Sequence, residues 1–327
     1  MKKILITGSE GFIGSHLVEY LVRKKYNVKA FVLYNSFANK GWLETLDKEI
    51  LEKIEIYFGD IRDYKNLSLA FKDVDRVIHL AALIGIPYSY NSTKSYIDTN
   101  IIGTYNILEQ CVKSKIKKLI ITSTSEVYGS ALKIPIDENH KLQAQSPYAA
   151  TKIAADKLTE SYIKSFNLNA VIVRPFNTYG PRQSTRAVIP TIITQILKNK
   201  KIELGSLTPK RDFNYVSDVC SAFERILKNN KLIGKEVNIC SGESISILNL
   251  VKLISKISNK KFKIKKSNKR LRPLKSEVDH LKGSNKKFSY YISNYKRTDL
   301  INGLKKTIEW YANNETIKQF DTKNYII

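Results

Sequence analysis

Thr7-Gly8-Ser9-Glu10-Gly11-Phe12-Ile13-Gly14 decides the fold. An apolar run, Ile4-Leu5-Ile6, precedes it, and an amphipathic stretch, Gly14–Lys24, follows. The order is strand, three-glycine loop, helix. Gly8 permits the tight turn, Gly11 lets backbone N–H groups approach a pyrophosphate, and Gly14 lets helix pack closely on strand. The helix N-terminus adds partial positive charge. Three glycines alone are a weak signal, and their place between a strand and a helix gives them meaning. The loop predicts a dinucleotide site with Gly8, Glu10, Gly11, Phe12, Ile13 and Gly14 against the cofactor.

Outward from the loop, short apolar runs alternate with amphipathic stretches. Val28–Leu33, Ile54–Phe58, Arg76–Leu80, Lys118–Thr122 and Ala170–Val173 read as strands. Asp98–Lys113, with Ile101, Ile102, Tyr105 and Leu108 at helical spacing, reads as a helix, and so does Tyr148–Phe166. This alternation predicts an α/β fold, a Rossmann-type doubly wound parallel sheet with right-handed crossovers. After residue 175 the pattern loosens. Turn residues cluster at Tyr179–Thr185 and Gly205–Asp212. Helices are expected at Pro190–Asn199, Val216–Lys228, Ile247–Ser258 and Leu300–Asn313, and a late strand at Glu236–Cys240. The expected division is a nucleotide-binding domain over 1–175, returning near 214–240, and a smaller mixed α/β substrate domain over 176–327. No internal repeat appears.

Composition narrows the function classes. The chain has 327 residues, enough for about two domains, and its 43% hydrophobic content supports a sizeable core. It lacks a run of eighteen apolar residues, so no membrane span is expected. The first strand meets Gly8 too soon to serve as the apolar region of a signal peptide. Cys111, Cys220 and Cys240 are odd in number and far apart, which excludes a disulfide scaffold and fits a reducing cytoplasm. The formal net charge is +25, but 44 of the 55 basic residues are Lys, spread along the chain. No basic stripe is interleaved with aromatics, so the excess reads as a solvated surface attractive to anionic substrates rather than a nucleic-acid site. His16, His79, His140 and His280 lack metal-ligand spacing, so no metal is expected.

A carboxylate usually ends the second strand and holds the adenosine ribose. Here the chain reads Leu33-Tyr34-Asn35-Ser36, with no acid. Tyr34, Asn35 and Ser36 offer neutral partners, and NAD and NADP both stay open. Asp60-Ile61, after the third strand, is placed to bracket the adenine. Tyr148 and Lys152, four apart in a helix, share one face. A Lys⁺ beside a phenol favours phenolate, a base able to take a proton from an alcohol during hydride transfer.

These residues together resemble the extended short-chain dehydrogenase/reductase superfamily that acts on nucleotide sugars. The resemblance runs through Thr7–Gly14, Gly59-Asp60-Ile61-Arg62, His79-Leu80-Ala81-Ala82, Asn100, Thr122–Gly129, Tyr148 with Lys152, Arg174-Pro175-Phe176-Asn177, Arg211-Asp212-Phe213 and Arg272-Pro273. It implies a catalytic group of Thr124, Tyr148 and Lys152. It adds Leu80, Ala81, Ala82, Asn100, Thr122 and Pro175 to the cofactor's neighbours. Asn177, Arg211 and Arg272 become diphosphate or sugar ligands, a task for which the planar Arg fork is suited. It further implies a tightly held, regenerated NAD(P), a nucleotide-sugar substrate and a homodimer through the helices around 98–114 and 148–166.

Ser125-Glu126 follows Thr124, where dehydratases similar to dTDP-glucose dehydratase carry Asp-Glu. Glu126 then matches the base that removes H5 once C4 is a ketone. Ser125 departs from the acid that protonates the leaving C6 hydroxyl. UDP-glucuronate decarboxylases also show Ser-Glu, and 4-epimerases share the fold. Phe31–Phe37 with Gly41-Trp42-Leu43, Ala82–Tyr90, Gly180–Thr191 and Leu271-Arg272-Pro273 followed by Ser276-Glu277-Val278 look like the N-acetylglucosamine dehydratases of the legionaminic acid pathway. That likeness places Ile84, Arg186 and Val188 at the substrate. The expectation is a 4,6-dehydratase of UDP- or GDP-N-acetylglucosamine, with a decarboxylase or epimerase as the alternative. A non-catalytic sensing role is disfavoured because Thr124, Tyr148 and Lys152 are all present.

Overall fold

The structure, a computed structural model, describes residues 3–198 and 201–313. Seven strands form one sheet, ordered Glu236–Ile239, Ala170–Pro175, Lys118–Thr122, Val74–His79, Lys3–Thr7, Val28–Leu33, Ile54–Gly59. Every neighbouring pair is parallel. Sequence order runs outward in both directions from Lys3–Thr7, so the winding reverses between that strand and Val74–His79. Such a reversal leaves a crevice beyond the strands' C-terminal ends, where Thr7 enters Gly8 and His79 enters Leu80.

The central strands are mostly apolar because helices cover both faces. Side chains alternate between the faces. Ile4, Ile6, Ala30, Val32, Ile78 and Ile120 face the helices Phe12–Arg23 and Val216–Lys228. Leu5, Phe31, Val77, Leu119 and Ile121 face the helices Tyr64–Ala70 and Gly103–Lys113. Leu5, Ile120 and Ile121 are fully buried, and each such side chain stabilises the fold by roughly 1.5–3 kcal/mol. A third core joins the helices Val188–Lys198, Ile247–Ser258 and Leu300–Asn313 through Ile192, Ile193, Leu250, Val251 and Leu304.

The sequence reading shifts at several boundaries. The first helix begins at Phe12, not Gly14, because the glycine turn closes directly onto it. The strand expected at Arg76–Leu80 spans Val74–His79. Asp98–Lys113 is not one regular helix: Ile97–Ile102 is π-helical and Gly103–Lys113 is α-helical. The helix expected from Pro190 begins at Val188, and Asn199 lies outside the described residues. Within the turn-rich Gly205–Asp212, Lys210–Arg211 forms a short antiparallel strand with Ile245–Ser246.

Candidate active site

The glycine loop is built by close approach. Gly8 has φ +69°, and a Cβ there would lie 2.8 Å from Ala81 N. A Cβ on Gly14 would lie 2.0 Å from Gly8 O. A Cβ on Gly11 would meet only Gly8 O, at 3.3 Å, so its other side is open. Gly11 caps the first helix without a side-chain hydrogen bond, which leaves the first N–H groups, at Phe12 and Ile13, for an anion. This open, donor-lined turn fits a pyrophosphate.

Thr7 ties the two strand ends together. Its Oγ1 accepts from Leu80 N and Ala81 N, each at 3.1 Å, and lies 2.8 Å from His79 Nδ1. With both lone pairs used, the Thr7 hydroxyl donates to Nδ1, so His79 carries its proton on Nε2, 3.2 Å from Thr104 Oγ1. Thr104 in turn donates to Asn100 O at 2.7 Å. Burial lowers the His79 pKa to about 3, with Lys152 adding to the effect. His79 is therefore a neutral structural strut.

Asn100 is committed to the protein rather than presented to the crevice. Its Oδ1 accepts from Leu83 N at 2.9 Å, and its Nδ2 donates to Leu83 O at 2.9 Å and Thr151 Oγ1 at 3.1 Å. It fixes the Leu80–Leu83 loop from the π-helical turn. Ala82 is half-buried in that loop, and Ile84 beyond it is 68% exposed. Other expected ligands are likewise occupied. Asp60 is forked by Arg62, whose Nε lies 3.0 Å from both its carboxylate oxygens. Ile61 packs into the core at Gly103, and its carbonyl accepts from Asn106 at 2.9 Å. Asn35 closes its own turn, donating to Asn39 O at 2.9 Å and accepting from Asn39 N at 3.0 Å. Tyr34 and Ser36 are exposed.

Thr124, Glu126, Tyr148 and Lys152 lie close together. Thr122 ends a sheet strand, and Ser123 N donates to Val173 O at 2.7 Å, carrying the strand pairing one residue further. Thr124 caps a 3-10 turn over Ser125–Tyr128, accepting from Glu126 N at 3.2 Å. Ser146 caps the helix Pro147–Phe166, with Pro147 in its first turn, and so places Tyr148 at the crevice and Lys152 one turn deeper. Burial pushes the Tyr148 hydroxyl above the ordinary phenol range; a hydrogen bond with Thr124 opposes this and the Glu126 charge adds to it. Lys152 donates to Thr122 O at 2.7 Å, and burial lowers its pKa to about 8. In the protein itself burial, not Lys152, thus sets the direction for Tyr148, contrary to the sequence expectation.

Four residues in this network, Asp156, Arg174, Tyr128 and Asn238, had no role assigned from the sequence. Asp156 continues the Tyr148–Lys152 face by one more turn and pairs with Arg174, whose Nη2 lies 3.0 Å from Oδ2. Arg174 Nη1 also donates to Tyr128 OH at 3.2 Å, and Tyr128 OH donates to Asn238 Oδ1 at 2.7 Å. The signal for Asp156 was its spacing, eight residues after Tyr148 on one helical face.

Cationic groups stand near Glu126. Arg272 Nη1 lies 3.9 Å from Glu126 Oε2 and is buried without a hydrogen-bond partner. Arg211 donates to Glu277 Oε1 at 2.9 Å. Asn177 Nδ2 is buried and unpartnered, and Pro175 just before it is buried at the end of its strand. Arg186 is exposed, held by Ser184, and Val188 begins the next helix half-buried. Unpaired buried donors beside charged forks are what a diphosphate requires. Among the described residues no helix is long and apolar enough to cross a membrane.

Comparison with known proteins agrees with this geometry. The family described as GDP-mannose 4,6 dehydratase matches residues 5–307. A dTDP-D-glucose 4,6-dehydratase of Dictyostelium discoideum is 39% identical over 274 residues, 79% of this chain and 62% of that protein, so the chain spans under two thirds of that relative. The dTDP-glucose 4,6-dehydratase of Streptomyces venezuelae, solved with NAD, superposes at a TM-score of 0.88 with 26% identity over 96% of this chain and 98% of that one. The UDP-glucuronic acid 4-epimerase of Bacillus cereus, solved with UDP-glucuronic acid and NAD, gives 0.84 with 30% identity over 94% and 98%. A glycine loop at a sheet reversal, a Thr-Tyr-Lys group at its mouth and a match along nearly the whole chain lead to one conclusion: the chain belongs to the GDP-mannose 4,6-dehydratase family of extended short-chain dehydrogenases/reductases.

Proposed function

We propose that this chain is an NAD-dependent nucleotide-sugar 4,6-dehydratase that converts UDP- or GDP-linked N-acetylglucosamine to its 4-keto-6-deoxy product. NAD is the cofactor in both solved relatives, and the open Gly11 turn suits its pyrophosphate. When bound, NAD supplies the hydride acceptor at C4 and the donor that returns hydride at C6. The chain's own residues move the protons. Tyr148, beside Thr124, takes the C4 hydroxyl proton as the phenolate, a form that positive charge from Lys152 and from bound NAD would favour over the phenol of the free protein. Glu126 takes H5, acidified by the new ketone, and delivers it to the departing C6 hydroxyl, because Ser125 brings no acid of its own. C5 regains a proton, balancing the one Tyr148 received. Arg211, Arg272 and Asn177 hold the diphosphate, and the loops around Ile84, Arg186 and Val188 meet sugar and base. We assign cofactor binding to residues 1–175 and most substrate contacts to the remainder. A homodimer through the helices around 98–114 and 148–166 accords with the exposed Ile102, Tyr105 and Phe166 there.

The observation that carries this reading is Glu126 held by Thr124 within the Tyr148 cluster. In a Glu126→Gln enzyme, C4 oxidation continues and water loss stops. Full product formation by that variant removes the assignment. A second reading rests on Arg272: its Nη1, buried near Glu126 with no hydrogen-bond partner, is also suited to a C6 carboxylate, as decarboxylation of UDP-glucuronate needs.

A further inference from the structure

The second strand ends without the carboxylate that usually receives the adenosine ribose. The structure fills that place from elsewhere. Glu10, in the glycine loop, reaches across so that Oε1 accepts Leu33 N–H at 3.2 Å, at the C-terminal end of that strand. Its other oxygen, Oε2, is buried with no hydrogen-bond partner. The loop is clamped there. Trp42 N donates to Glu10 O at 3.0 Å, and Gly41, at φ +56°, leaves no room for a Cβ, which would lie 2.7 Å from Glu10 O. The neutral candidate Asn35 is used up by Leu33 O and Asn39.

We propose that Glu10 replaces the missing strand-end carboxylate, its unpartnered Oε2 accepting a hydroxyl of the adenosine ribose and disfavouring a 2′-phosphate. A carboxylate has only acceptor sites, and an oxygen left bare in a buried place suits a hydroxyl donor. Burial also raises the Glu10 pKa, a cost that a donating hydroxyl offsets. A phosphate dianion at the same spot meets like charge at short range. Selectivity for NAD thus resides in the glycine loop rather than on the strand. This inference rests on the reading of the crevice as an NAD site.

The test is binding, not turnover. Bound nucleotide is removed from the wild-type, Glu10→Gln and Glu10→Ala proteins, and Kd is measured by calorimetry for NAD, NADP and 2′-deoxyadenosine NAD. Glu10→Gln keeps an acceptor for Leu33 N–H and removes the charge. The expected result is a loss of roughly tenfold to a hundredfold in preference for NAD over NADP. The deoxy analogue should lose affinity for the wild type and much less for Glu10→Gln. A folded Glu10→Gln protein with an unchanged NAD-to-NADP ratio overturns the inference. If the Glu10 side chain served only to hold the Leu33 strand end, Glu10→Ala would lower Tm and weaken both cofactors alike, which also overturns it. Failure of the wild type to bind either dinucleotide would instead remove the cofactor reading itself.

Discussion

Arg272 Nη1 stands 3.9 Å from Glu126 Oε2, too far for a hydrogen bond and close enough for strong attraction. The guanidinium thus stands beside Glu126 without a direct hydrogen bond to that carboxylate oxygen. Glu126→Gln should therefore lower the rate of water loss by roughly 10²- to 10⁴-fold while reduced cofactor still accumulates, seen at 340 nm in single turnover. Loss of both steps together would place Glu126 in binding rather than proton abstraction.

Tyr148→Phe removes the hydroxyl that meets Thr124 and leaves the ring that packs edge-on to Tyr96, centroids 6.3 Å apart. The expected outcome is a fall in kcat of roughly 10²-fold or more, with Tm within a degree or two and nucleotide-sugar affinity retained. A comparable loss in Kd for the sugar would show that the ring, not the proton, is what matters.

Lys152 gives a pH signature with a definite sign. Its folded pKa is about 8, below the ordinary Lys value, because burial disfavours the charge. Between about pH 8 and the unfolded value near 10.4 the unfolded chain holds a proton that the folded chain has lost. Stability should rise with pH across that window, by about 3 kcal/mol at most. Lys152→Met should flatten this rise and abolish turnover. Denaturant midpoints from pH 7 to 10 measure it, and an equal slope in both proteins would contradict the assignment.

Asp156 and Arg174 are both almost wholly buried and paired at 3.0 Å. Asp156→Asn leaves the guanidinium uncompensated and should cost about 3 kcal/mol or more in urea unfolding. A change below about 1 kcal/mol would mean that Tyr128 alone satisfies Arg174.

Gly14→Ala tests the loop's close approach. Its Cβ would sit 2.0 Å from Gly8 O, a backbone atom that cannot swing aside. Dinucleotide binding should be lost and Tm lowered, read by calorimetry and circular dichroism; unaltered NAD affinity would show a loop more yielding than the structure implies.

The sheet was legible in the sequence because parallel strands covered on both faces must be apolar throughout, as Ile4-Leu5-Ile6 and Leu119-Ile120-Ile121 are. Tyr148 and Lys152 were legible because helical spacing puts them on one face, and Thr124 and Glu126 because they match the motif of the family the chain resembles. Long-range partners were not. Nothing local says that Asn100 will be spent on Leu83, or that Ile61 will turn into the core against Gly103. Those choices depend on which neighbour arrives across the fold. The break in Asp98–Lys113 was hidden likewise, since the π-turn at Ile97–Ile102 keeps ordinary apolar spacing while delivering Asn100 to the Leu83 loop.

The most direct test of the central claim is the mass of the product. The purified protein is incubated separately with UDP-N-acetylglucosamine, GDP-N-acetylglucosamine and UDP-glucuronate, with no cofactor added. The account predicts loss of about 18 Da, one water, from one of the N-acetylglucosamine donors, catalysed by cofactor already held. Loss of about 44 Da, one carbon dioxide, from the glucuronate, or conversion with no change in mass, would contradict it and assign the site to decarboxylation or epimerisation.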